Sequence, residues 1–194
     1  MKKLVFKSVF MLMIAIVFLG CSSDSSDDCQ SITCLNGGIS NSDCGCDCPQ
    51  GYTGSNCNIQ IQPTTIKITK ILIKSFPYTN NGIGWDSVIG NNANEADLLI
   101  RLFNSNGQPF NVGNSYFENA SNAFSYLFTM PSPIIINNAN ELLSLEIYDY
   151  DYPDSDDFIK KTFFYVYNVN GGFPTIKTIT DGNVMFDVYL EYVW

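Results

Sequence analysis

The chain has no histidine among its 194 residues. That absence removes the imidazole base on which Ser-His-Asp and Cys-His nucleophile schemes depend. It also removes imidazole metal ligation. Basic residues are scarce: 10 Lys and Arg stand against 19 Asp and Glu, a formal net charge of −9. With no basic patch, such a chain repels phosphate backbones, which argues against a nucleic-acid partner. Cysteine is absent after Cys57. No stretch carries the apolar spacing of a three-turn helix, and residues 137–143 are the one short candidate. What remains is a composition 45% hydrophobic, enough for a core, at a length suited to one or two domains. Acidic excess in an exported protein points to cation binding or to solubility.

The first twenty residues stand apart. Lys2, Lys3 and Lys7 precede a continuous apolar run from Phe10 to Leu19, and Gly20-Cys21 follows. A charged start, a short apolar centre and a small residue before the cut describe a secretory signal. The run is short for a spanning helix. Removing residues 1–20 leaves 7 basic residues against 19 acidic, a charge of −12. Cysteine directly after Leu19-Gly20 resembles the bacterial lipobox, with Phe18 where that family usually has Leu. The resemblance implies a diacylglycerol on Cys21 and a membrane as partner through that anchor. An ordinary signal peptide followed by an unpaired thiol is the alternative, yet the odd cysteine of an exported chain needs a role. Residues 21–28, Cys21-Ser22-Ser23-Asp24-Ser25-Ser26-Asp27-Asp28, read as an acidic, flexible tether. This tether looks like the surface-export signal of Bacteroidetes lipoproteins. It implies a lipid-anchored, surface-exposed protein of the bacterial outer membrane.

The other six cysteines, 29, 34, 44, 46, 48 and 57, fall within 29 residues. In an exported chain this density means a disulfide framework, because so small a segment cannot hold itself with a core. Spacing alone leaves 15 connectivities open, and a zinc site is the rival reading of dense cysteines. Cys34-Leu35-Asn36-Gly37-Gly38, and then Cys46-Asp47-Cys48-Pro49-Gln50-Gly51-Tyr52-Thr53-Gly54-Ser55-Asn56-Cys57, resemble the EGF-like family over residues 29–58. That resemblance implies the pairs Cys29–Cys44, Cys34–Cys46 and Cys48–Cys57. It implies no calcium site in this module, since the full acidic motif is missing and one residue separates Cys44 from Cys46. The expected role is a spacer or contact surface, followed by a linker at 59–63.

Residues 64–194 alternate between strand and turn patterns. Ile66, Ile68, Ile71 and Ile73 alternate with a slip at Thr69-Lys70, the sign of a bulge. Leu98–Phe103, Phe124–Met130, Ile134–Ile136, Leu142–Tyr150 and Phe158–Tyr167 follow as strand candidates. Val184, Phe186, Val188, Leu190 and Tyr192 close the series. Turn signals such as Asn80-Asn81-Gly82 and Asp181-Gly182-Asn183 separate them. The expected fold is mainly β: a small disulfide-rich module plus an antiparallel β-sandwich of about eight strands.

The most charged segment is Asp149-Tyr150-Asp151-Tyr152-Pro153-Asp154-Ser155-Asp156-Asp157, five carboxylates in nine residues. Such a group repels itself unless a cation neutralises it or water screens it. Calcium takes six to eight oxygen ligands from flexible loops. A strand running into Asp149-x-Asp151 and out at Asp157-Phe158-Ile159 resembles the third calcium loop of C2 domains. The resemblance implies a C2-like sandwich with Ca2+ held by Asp149, Asp151 and Asp157, and by Asp154 as a secondary ligand. Trp85-Asp86 and Ala96-Asp97-Leu98 resemble the start and end of that family's first loop, which implies Asp86 and Asp97 as further ligands. Departures are the absence of Pro-Tyr after Asp97 and the length of the loop from Asp86 to Asp97. A merely solvated acidic loop is the bland alternative.

Two functions follow as expectations. The first is a calcium-dependent binding or adhesion lipoprotein, not an enzyme, whose partner is a surface protein, a glycan or a phospholipid. The second is a catalytic or accessory protein of polysaccharide breakdown, using carboxylates such as Asp149 and Asp157.

Overall fold

A computed structural model describes residues 32–86 and 95–194. The signal segment, the acidic tether, Cys21 and Cys29 lie outside the described residues.

The first described part is built from two minimal hairpins. Strand β1 (Ile39–Ser40) pairs antiparallel with β2 (Cys46–Asp47). Strand β3 (Tyr52–Thr53) pairs with β4 (Ile59–Gln60). Disulfides join Cys34 to Cys46 and Cys48 to Cys57, with Cα–Cα distances of 5.7 and 5.3 Å. Cys44 is also disulfide-bonded. Removing the Cys48–Cys57 bridge with a pair of serines is expected to cost about 2–5 kcal/mol, the usual loss for a small disulfide-stapled module. Chemical denaturation of the double variant beside the parent reads that loss.

Eight strands follow: β5 (Thr65–Ser75), β6 (Ala96–Phe103), β7 (Phe117–Ala120), β8 (Tyr126–Ile136), β9 (Leu143–Asp149), β10 (Asp157–Phe164), β11 (Ile176–Asp181) and β12 (Val184–Val193). They form two four-stranded antiparallel sheets, ordered β10-β9-β6-β7 and β11-β12-β5-β8. The period-2 pattern decides which side chains go inside. Ile66, Ile68, Ile71 and Ile73 of β5 meet Phe186, Val188 and Leu190 of β12 in one core, with Ile100 and Leu102 of β6 and Leu145 and Ile147 of β9. Phe186 is fully buried and meets Phe164 edge-on at 5.3 Å. Phe186→Ala is therefore expected to cost roughly 3–5 kcal/mol, read by urea unfolding.

The slip read at Thr69-Lys70 is a bulge. The β5–β8 register shifts between Ile68 and Lys70, and the β5–β12 register shifts between Tyr189 and Leu190 opposite. Phe124–Met130 and Ile134–Ile136 join into the single strand β8. That strand tolerates Pro131 and Pro133 because it is a sheet edge, where a missing N–H costs no ladder bond. Edge strands β7 and β11 carry no clean apolar alternation, with burial of one and no residues respectively, so the pattern did not show them. The short helix candidate at 137–143 is instead a turn that ends where Leu143 opens β9, and no helix occurs among the described residues.

The stretch read as a linker is partly ordered against the sandwich. Gln60 of β4 donates through Nε2 to the Tyr167 hydroxyl (2.8 Å) and the Asn168 carbonyl (3.2 Å), and its Oε1 accepts from Gly172 N–H (2.9 Å). Trp194 Nε1 donates to the Ile61 carbonyl at 3.2 Å. Phe173 packs edge-on against Tyr52, Tyr192 and Trp194 with centroids 4.8–5.3 Å apart. The cysteine-rich part is thus docked on the end of the sandwich where β5 begins and β12 finishes. The opposite end, where β9 finishes and β6 begins, holds the carboxylates.

Candidate metal centre

Strand register assembles the acidic end. Asp149 is the last residue of β9, and it faces Asp157, the first residue of β10, on one side. On the other side it faces Leu98 in β6, next to Asp97. Asp151 and Asp154 come from the β9–β10 connection, and Asp86 comes from the segment after β5. Trp85 anchors that segment by donating Nε1–H to the Pro77 carbonyl at 2.9 Å. All six aspartates expected as ligands line one cleft or its floor. Asp86, Asp97, Asp151, Asp154 and Asp157 line it with Trp85, Tyr116 and Tyr150. Asp149 lies beneath, within reach of Asp86 and Asp151.

The six are not equivalent. One carboxylate oxygen from each of Asp86, Asp149 and Asp151 lies within 4.8 Å of the others. Asp97 is outside that group: its Oδ1 accepts from Asn119 N–H at 2.8 Å, and its carbonyl accepts from Tyr150 N–H at 2.8 Å. Asp154 and Asp157 border the cleft without joining the group, although Asp157 supports Asp151 through a backbone hydrogen bond. Asp156, the remaining acid of the loop, is occupied elsewhere. It is paired with Arg101, whose guanidinium lies 4.3 Å over the Tyr148 ring.

Asp149 is the central residue. It is fully buried. Its Oδ1 accepts from Asp97 N–H at 2.5 Å, and its Oδ2 is buried with no hydrogen-bond partner. An unpartnered buried carboxylate oxygen is costly, and native structures rarely keep one without a reason. Asp187 on the other sheet shows the ordinary solution. It is also buried, but Lys74 Nζ sits 2.6 Å away and the Thr178 hydroxyl donates to it at 2.6 Å. Burial alone would push the Asp187 carboxyl up, and these partners outweigh it and hold it below the usual value. Among the described residues, no lysine or arginine pairs with any of the six cleft aspartates.

The electrostatics follow. Burial pushes the Asp149 carboxyl up to about 7, against the Asp97 N–H, and the charges of Asp151, Asp86 and Asp97 add to the rise. Asp151 is raised by burial and then by Asp157 and Asp86. Asp86 is raised by burial and then by Asp97. Below about pH 7 the metal-free folded protein therefore holds a proton on Asp149 that the unfolded chain releases near pH 4. The stability that proton supplies is lost as pH rises through about 7. Metal-free protein is expected to melt higher at pH 5 than at pH 8, by a margin that shrinks in Asp149→Asn; melting curves of both proteins at the two pH values check it.

Donor chemistry fits a hard cation. Three carboxylates converge from two loops and a strand end, one oxygen lacks a partner, and no soft or imidazole ligand is among the described residues lining the cleft. A sequence reading had no means to separate the inner three residues from the outer three, because that depends on which way each carboxylate turns. Tyr116, which lines the cleft with Tyr150, carried no sequence signal at all.

No family profile matches the chain, and no curated protein matches it. Solved structures with partial similarity to this chain include human GIVD cytosolic phospholipase A2 bound to methyl gamma-linolenyl fluorophosphonate. It is 18% identical, with a TM-score of 0.42, over 66% of this chain and 17% of that one. They also include a C2 domain of plant extended synaptotagmin 1, 9% identical with a TM-score of 0.39, over 69% of this chain and 97% of that one. The chain was expected not to be an enzyme, and similar structures include those of an enzyme, the phospholipase, so that expectation is withdrawn. The chain spans about a sixth of the phospholipase's length, and the likeness assigns this chain neither a reaction nor a residue role. The described residues form an all-β fold, an antiparallel sandwich of two four-stranded sheets behind a disulfide-rich N-terminal part.

Proposed function

We propose that this chain is a calcium-dependent binding and adhesion module, carried on a lipid anchor at the surface of a bacterial outer membrane. The observation that carries the calcium reading is the buried, unpartnered Asp149 Oδ2 beside Asp86 and Asp151. A divalent ion there would supply the missing partner and reverse the local negative field. Asp97, Asp154 and Asp157, bordering the same cleft, are the outer ligands of this reading.

The anchor reading rests on Cys21 and the acidic tether of residues 21–28. Residues 29–58 would act as an EGF-like module and 64–194 as the binding domain. Their arrangement supports that division of labour. The docked cysteine-rich part sits at one end of the sandwich, and the carboxylates sit at the other. Strand β5 has 11 residues, so at about 3.3 Å each the two ends are roughly 30 Å apart. An anchor at the first end leaves the cleft facing outward, toward a surface protein, a glycan or a phospholipid headgroup.

Calcium titration followed by thermal melting tests the metal reading. Calcium at about a hundred times its dissociation constant stabilises by roughly 2.7 kcal/mol, a rise of several degrees for a chain of this size. A melting temperature that does not move with millimolar calcium sinks it. Mass spectrometry of the mature protein tests the anchor: acylation at Cys21 and loss of residues 1–20 are expected, and an unmodified Cys21 removes it.

A further inference from the structure

We infer that the cavity next to the acidic cleft is a binding subsite for a neutral saccharide. The cavity, about 430 Å3, lies between β6 and the 109–116 segment. That size falls within the roughly 300–1,000 Å3 of small-ligand sites, and it suits a compact ring better than an extended chain. Its polar lining is Arg101, Asp156, Asn111 and Asn114, and its aromatic wall is Tyr116 and Tyr150.

The chemistry of the lining selects the ligand. A sugar ring presents adjacent hydroxyls, each both donor and acceptor, and a face of C–H bonds. It needs neighbouring donors and acceptors set beside an apolar wall. The Arg101–Asp156 pair offers both kinds of group side by side, with no net charge. The pair is held in place before any ligand arrives, because Arg101 also lies against the Tyr148 ring. Such preorganisation lowers the entropy cost of binding. Asn111 Oδ1 accepts from Gly113 N–H at 3.1 Å, which fixes that side chain and leaves its Nδ2 without a partner among the described residues. Asn114 has no internal hydrogen bond among the described residues. The rings of Tyr116 and Tyr150 stand 4.5 Å apart, tilted by 33°, and line both this cavity and the acidic cleft. Tyr116 is 38% exposed, so part of the side chain is accessible to a ligand.

Charge argues against the other small ligands. Arg101 is already neutralised by Asp156, and the adjoining cleft carries unpaired carboxylates. An anion would be repelled there. A free cation belongs in the carboxylate cleft, where the unpartnered oxygen is. The inference rests on the proposed binding role of this end of the sandwich, naming a saccharide among its partner classes, but it does not require the metal site to be filled.

The test is an NMR titration of the isotopically labelled mature chain with methyl glycosides of glucose, galactose and mannose, and with N-acetylglucosamine, each with and without calcium. At least one is expected to shift the backbone amides of Asn111, Asn114, Tyr116 and Tyr150. Tyr116→Ala is expected to weaken that binding on the order of ten-fold, since it removes half of the aromatic wall. Asn114→Ala, a solvent-facing change that leaves the fold untouched, should weaken it as well. No shift at these amides with any of the four probes overturns the inference, and so does a shift that both variants preserve. The calcium melting gain is read on the same samples. A gain without a sugar response removes this inference alone, and a sugar response without the gain removes the calcium reading alone.

Discussion

Asp149→Asn is expected to abolish the stabilisation by calcium while leaving the metal-free protein at least as stable as the parent at pH 8. The two halves of that result have one cause. In the metal-free protein, Asp149 holds a buried carboxylate with one oxygen unpartnered and three like charges nearby. The side-chain amide removes the charge and keeps the shape, so the variant loses a cost instead of a contact. With calcium present the same change removes the central ligand, and the rise of several degrees disappears. Asp187→Asn is the informative control. That carboxylate is also buried, but it is paired with Lys74 and Thr178. Breaking it is expected to destabilise by on the order of 1–3 kcal/mol with or without calcium. Two buried aspartates on one sandwich should therefore respond differently to one chemical change in the absence of metal, with a loss of stability at Asp187 and none at Asp149. Melting curves of the parent and both variants, with chelator and with calcium, decide the matter. Equal destabilisation of both metal-free variants would show that Asp149 has a partner after all.

Gly51→Ala is expected to undock the cysteine-rich part from the sandwich. Gly51 has φ of +90°, a region that costs an L-residue roughly 1–2 kcal/mol. A methyl group there would also lie 2.4 Å from Phe173 Cε2 and 2.6 Å from Trp194 Cζ2. Those rings belong to the docked aromatic cluster and cannot move without opening it. Overpacking of this kind adds about 1–3 kcal/mol. Gly82→Ala separates the two contributions. Its φ is +89°, but its added methyl would meet nothing within 4 Å, so it carries the backbone cost alone. The Gly51 variant is expected to show faster proteolysis after residue 60 and a changed Trp194 fluorescence, and the Gly82 variant neither. Equal behaviour of the two would mean that the junction does not depend on close packing at Gly51.

How much of this was legible in the sequence depended on whether a feature is local. Strand β12 could be read directly, because Val184, Phe186, Val188 and Leu190 alternate without interruption and all four are buried. The bulge of β5 was legible for the same reason, as a one-residue slip in an otherwise regular series. The edge strands β7 and β11 were not, since an edge need not bury every second residue. The acidic end was visible as composition, but its internal order was not. Asp97 and Asp86 looked alike as flanking acids. Strand register turns Asp97 toward Asn119 N–H and leaves Asp86 beside Asp149 and Asp151. Asp156 was indistinguishable from its neighbours until Arg101, 55 residues earlier, proved to be its partner. The docking of Gln60 against Tyr167 and Gly172 joins residues more than a hundred apart. No local pattern carries such a contact, and Pro63 together with polar Gln60 and Gln62 reads naturally as a linker.

The calcium reading turns on one atom, Asp149 Oδ2. A crystal structure of the protein grown with calcium tests it most directly. The expected result is an ion about 2.3–2.6 Å from Asp149 Oδ2, with Asp86 and Asp151 also coordinating. Calcium absent from the cleft, or bound there while Asp149 Oδ2 bonds to a water or a protein donor instead, would contradict it.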